Sequence, residues 1–149
     1  DTCEGGALDG LFGDELQFSV PEGAQMVCED ENVHFASILA YHKPSGTLFV
    51  DDTLSCIKAP FPLSLLPITG KLAFHPTLAK ALKPDPKAAD DFREWAIGMG
   101  QRWPNTRRVA TAHNATMELA PGEFPEKIGA ALGKVAKVLE KHRTVPRHV

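Results

Sequence analysis

Two β-prone runs, residues 34–42 and 47–50, are joined only by Lys43-Pro44-Ser45-Gly46, and this joint constrains the chain more than any other feature. Proline presets the φ of a type I turn and glycine accepts the left-handed conformation that closes it, so the link predicts an antiparallel hairpin. The first run, His-Phe-Ala-Ser-Ile-Leu-Ala-Tyr-His, and the second, Thr-Leu-Phe-Val, are mostly apolar without alternation. Strands covered on both faces have this character. A candidate metal ligand opens the first run, His34, and another follows the second, Asp52. In an antiparallel hairpin these two ends share one sheet edge. An imidazole and a carboxylate delivered there are what a zinc- or iron-type hydrolytic centre requires.

Composition bounds this expectation. With 149 residues, 43% of them hydrophobic and 23% charged, the chain fits one domain able to bury an ordinary core. A net charge of −3 with basic residues spread along the chain gives no footprint for a phosphate backbone, so no nucleic-acid partner is expected. No apolar run reaches membrane-spanning length, and the first residues lack the pattern of a signal peptide, so a soluble cytoplasmic protein is expected, with no membrane partner. Cys3, Cys28 and Cys56 are odd in number and lack a Cys-x-x-Cys pair, and read as free thiols. The chain begins with Asp, as a processed, trimmed or partial chain would.

Around the hairpin, residues 1–15 read as a glycine-rich entry loop, 16–20 as a strand stopped by Pro21-Glu22-Gly23, and 24–28 as a second strand. Residues 59–67, broken by prolines but rich in Phe and Leu, read as a loop lying against something. Asp85-Pro86 is a helix-start signal, and Phe92, Trp95, Ala96 and Met99 recur at helical spacing. Residues 107–112 read as a short strand delivering His113 to its end. A last helix carries Ile128, Leu132, Val135 and Leu139 on one face and Lys127, Lys134, Lys137 and Lys141 on a solvated one, ahead of a frayed tail at 144–149.

A hairpin, a covering helix, a strand ending in His and a terminal helix, in that order, resemble the C-terminal half of the metallo-β-lactamase fold superfamily. Where many members read Gly-Asp-Thr-Leu, this chain has Asp51-Asp52-Thr53-Leu54. The resemblance implies an α/β fold, part of an αββα sandwich with a mixed, largely antiparallel sheet and covering helices, formed by residues 1–149 as the C-terminal portion of such a domain. It implies that Asp52 bridges two metals, that His34 serves the first site and that His113, followed here by Asn114 where the family has glycine, serves the second. A similar hairpin, Tyr41-His42-Lys43-Pro44-Ser45-Gly46-Thr47-Leu48, occurs in a branch of the superfamily without an assigned substrate.

The family's His-x-His-x-Asp-His segment is absent, since no two of His34, His42, His75, His113, His142 and His148 stand two positions apart. Each metal would then have two ligands from this chain, where a catalytic zinc usually has three. The resemblance therefore implies two zinc sites, or iron in their place, with an incomplete ligand set. It also implies a small-molecule substrate hydrolysed by a metal-activated water once a complementing N-terminal half is present, and an inactive chain alone. The alternative is a truncated, non-catalytic interaction module closed by a homodimer or a partner subunit. Each site residue has a plainer role to compete with: His34 as a strand-mouth residue, the Asp51-Asp52 pair as a loop cap, and His113 as a turn residue. His42 is expected far from the shared edge, His75 is expected in a loop, and Trp95 and Trp103 are expected to pack helices.

Overall fold

The computed structural model describes residues 7–28, 35–56, 58, 62, 70–112 and 115–144. They form a mixed α/β structure of a five-stranded and a two-stranded sheet with helices. The elements are α1 (Ala7–Phe12), β1 (Leu16–Ser19), β2 (Leu39–His42), β3 (Thr47–Val50), β4 (Leu54–Cys56), β5 (Leu72–Phe74), α2 (Leu78–Ala81), α3 (Ala88–Arg102), β6 (Arg108–Thr111), β7 (Met117–Glu118) and α4 (Glu123–Thr144). The larger sheet has the order β1-β2-β3-β6-β7, antiparallel except where β3 pairs with β6. β4 and β5 pair antiparallel as the smaller sheet. Parallel neighbours need a long crossover, and β4, β5, α2 and α3 occupy the one between β3 and β6.

The hairpin forms as its turn chemistry dictates. His42 pairs with Thr47, Gly46 N–H donates to Lys43 O at 3.2 Å, and Gly46 has φ of 64°. The first run is strand only from Leu39 onward. Residues 35–38 carry no ladder, because β1 ends at Ser19, opposite Leu39, and offers them no partner.

Residues 24–28 do not form the expected strand. Ala24 makes one bridge, to Leu82, supported by Gln25 N–H to Ala81 O at 2.8 Å and Lys83 N–H to Gly23 O at 2.9 Å. The neighbouring segment is the end of α2, too short for a ladder, and Met26 and Val27 are left exposed. Gly23 lets the same segment lie close against the start of α3: its φ is 72°, and a Cβ there would lie 2.0 Å from Ala88 O. The entry segment contains α1, and β4, β5, α2 and β7 are short elements that carry too few residues to show a period. Most of 59–67 lies outside the described residues.

One face of β1 and β2 receives α3. Trp95 Nε1–H donates to Ser19 Oγ at 2.9 Å and Trp103 Nε1–H to Gln17 Oε1 at 2.8 Å, while Tyr41 stacks on Trp103 with centroids 5.1 Å apart. Alternate residues of β1 thus satisfy both indoles where apolar packing alone would strand their N–H groups. Phe92 lies at the centre of the core, within 5.8 Å of the rings of Phe35, Phe74 and Trp95. Phe92, Trp95, Ala96 and Met99 are buried, as helical spacing predicts, and so are Ile128, Leu132 and Leu139 of α4.

α4 packs on α3 and β5. Its start is a type II turn at Ala120-Pro121-Gly122-Glu123, with Gly122 at φ 79° and Glu123 N–H donating to Ala120 O at 3.1 Å. Near its end, buried His142 holds Lys83 O at 2.9 Å and Asp85 O at 3.1 Å through Nε2, which must carry the proton because both partners are acceptors. The lysine face is not uniformly solvated: Lys134 Nζ donates to Leu72 O at 2.9 Å, and burial, aided by nearby Lys71, pushes its pKa down. No helix among the described residues is long and apolar enough to cross a membrane.

Candidate functional site

The carboxyl ends of β3 and β6 lie side by side, with Val50 opposite Thr111 and Ala112 N–H donating to Val50 O at 3.1 Å. Backbone groups at such ends have used their ladder partners, and in open α/β sheets ligands collect there. β3 runs directly into the turn Asp51-Asp52-Thr53, from which the chain enters β4. Neither aspartate is in a strand, so the turn and not strand alternation separates them: Asp51 is exposed and Asp52 half-buried.

Thr53 secures this turn from within the core. It is fully buried, and its Oγ1–H donates to Phe35 O at 2.8 Å, with Ser37 Oγ 3.4 Å away. Its carbonyl accepts His75 N–H at 3.3 Å, extending the β4–β5 pairing by one step. One threonine therefore joins three segments: the residue after His34, the aspartate turn and the end of β5. Thr111 does similar work on the other strand. Its Oγ1–H donates to Ala115 O at 3.1 Å, spanning the dipeptide His113-Asn114, while Ala115 N–H donates to Cys56 O at 3.0 Å.

Of the three expected ligands, the described residues include Asp52; His34 and His113 lie outside them. The structure does bring Phe35, which follows His34, and Ala112 and Ala115, which flank the dipeptide His113-Asn114, into hydrogen bonds with the aspartate turn and the strands on either side of it. Among the described residues no group of three His, Cys, Asp or Glu side chains stands close enough to hold a metal ion. Described side chains alone therefore do not make up a zinc or iron site. Burial pushes the pKa of the Cys56 thiol up, against the weaker opposing pull of Lys58.

The remaining histidines divide by position. His42 Nδ1 hydrogen-bonds Ser45 Oγ at 2.8 Å at the hairpin turn, remote from the aspartate edge. His75, expected in a loop, follows β5 and faces Thr53 across the small sheet; its Nδ1 hydrogen-bonds Thr77 Oγ1 at 2.8 Å. Thr53 and Thr111 were beyond sequence reasoning, because a threonine within a β-prone run carries no mark of its hydrogen-bond partner. No family model, curated protein or solved structure matches the chain.

Proposed function

We propose that this chain supplies the C-terminal half of a metallo-β-lactamase-type hydrolytic site, with Asp52 as the bridging carboxylate and His34 and His113 as the ligands of two metals. The observation that carries this reading is the meeting of the Asp51-Asp52-Thr53 turn with the residues bordering His34 and His113 at the carboxyl ends of the one parallel strand pair described. Zinc, or iron, would supply a water of lowered pKa able to attack an ester, lactone, thioester, amide or phosphoester. The role of this chain is to place ligands. The described residues do not complete a ligand set, so no turnover is assigned to the chain alone, and a complementing half would contribute the remaining ligands.

Zinc analysis tests the reading. The purified chain, loaded with zinc and dialysed, should retain metal that is lost in Asp52→Asn and kept in Asp51→Asn. A chain that retains none, or loses it equally in both variants, contradicts the assignment.

A specific observation favours a second reading, a non-catalytic module closed by a second copy or a partner subunit. On the sheet face away from Gln17, Tyr41 and Leu48, one row across four strands reads Phe18, Ala40, Phe49 and Ala110 in register. Phe49 in that row is 49% exposed, and exposed apolar rows of this kind mark association surfaces.

A further inference from the structure

On the solvent side of α3 and α4 the two helices leave a groove of ≈ 550 Å³. Its α4 wall is a stripe spaced three and four residues apart, from Gly129 through Gly133, Ala136 and Glu140 to Arg143, with Lys137 beside it, and α3 contributes Arg93 and Ile97. At 1.5 Å per residue, that stripe runs for about 20 Å. This is the length of several helical turns and exceeds what a compact metabolite covers.

Two observations give the groove its character. Gly129 and Gly133 sit inside a helix that disfavours glycine, yet a Cβ at either would meet nothing within 4 Å, so no packing within the described chain calls for glycine there. Bare backbone on the groove floor lets another backbone approach closely, with Ile97, 40% exposed, as an apolar wall. The charges are one-sided. Arg143 is engaged by Asp90 and Glu140, which consumes the carboxylate lining the groove. Arg93 and Lys137, one on each helix, are exposed and have no ion-pair partner among the described residues.

We propose that this groove docks an acidic amphipathic helix of a protein partner. Its apolar residues would lie on Gly129, Gly133 and Ile97, and its carboxylates would meet Arg93 and Lys137. The groove is independent of the aspartate edge, so this proposal stands or falls separately from the hydrolytic reading.

The probe is a synthetic helix of about 18 residues with leucines at i, i+3, i+4 and i+7 and flanking glutamates, beside a twin with lysines in place of the glutamates. Both are titrated into the full chain and followed by amide chemical shifts and fluorescence anisotropy. The glutamate peptide should bind and shift Ile97, Gly129 and Gly133, with the lysine twin weaker by at least about tenfold. Gly133→Leu, which fills the groove, should weaken binding by at least about tenfold while circular dichroism stays unchanged. Arg93→Glu combined with Lys137→Glu should reverse the preference, which tests the groove even if Gly133→Leu disturbs α4. Equal affinity for both peptides, shifts confined to other surfaces, or a self-associated chain whose dimer Gly133→Leu abolishes would each overturn the proposal.

Discussion

Thr53 Oγ1 donates a 2.8 Å hydrogen bond to the carbonyl of Phe35, eighteen residues earlier, with Thr53 fully buried and Phe35 nearly so. Losing the donor would leave a carbonyl in the core without its partner, whereas the methyl of the threonine is already packed. Thr53→Val should therefore destabilise the chain by about 1–3 kcal/mol, and Thr53→Ser by less, in urea unfolding. A larger loss in Thr53→Ser than in Thr53→Val would mean that the methyl, and not the hydroxyl, holds the turn. If the edge binds zinc, Thr53→Val should also weaken zinc retention.

Two glycines should respond to alanine with opposite signs. Gly23 has φ of 72° and a Cβ there would meet Ala88 O at 2.0 Å and Phe92 N at 2.9 Å, both backbone atoms that yield only if α3 moves. Gly23→Ala should cost about 3 kcal/mol, combining left-handed strain with overpacking. Gly129 is helical with open space around it, so Gly129→Ala should stabilise by about 0.5–1 kcal/mol. Thermal unfolding of both variants beside the parent distinguishes them.

The start of α4 should show a pH signature. Glu123 accepts Ala120 N–H at 2.9 Å and pairs with Lys127 at 2.9 Å, and these bonds, the backbone one foremost, hold its carboxyl below the usual range. With the folded pKa depressed, the unfolded chain binds more protons between the two values. The contribution is thus full above the unfolded pKa and lost as pH falls through the folded one. Glu123→Gln should be less stable than the parent at neutral pH, with the gap closing on acidification through that window. A gap independent of pH would rule out the carboxylate charge as its source.

Phe49 separates the two functional readings. If a second copy covers the outer sheet face, Phe49→Glu should weaken self-association in sedimentation by at least about tenfold. The folded chain should lose no more than about 1 kcal/mol, since the ring is already half exposed. Association unaffected by this change would remove that face from the interface.

Local chemistry made some of the architecture legible. Lys43-Pro44-Ser45-Gly46 specified its turn because proline and glycine act through their own backbone geometry, and the Gly46 φ of 64° follows from it. Helical periodicity identified α3 and α4 and most of their buried residues because a helix repeats its face every few positions. Asp85 marked the start of α3 two positions early: its Oδ1 accepts Lys87 N–H at 2.8 Å in the turn before the helix begins at Ala88.

By itself, then, the sequence determined the hairpin, the two long helices with their apolar faces, and the aspartate pair that closes the second strand, all of them consequences of residues near one another in the chain. Only the tertiary structure decided that residues 24–28 join α2 and form no strand, that β3 lies parallel to β6, and that Thr53 ties Phe35 and His75 to the aspartate turn. It alone also left a groove between α3 and α4. These features depend on pairings between residues far apart in sequence, and neither propensity nor periodicity encodes which partner a buried hydroxyl or a strand edge will find.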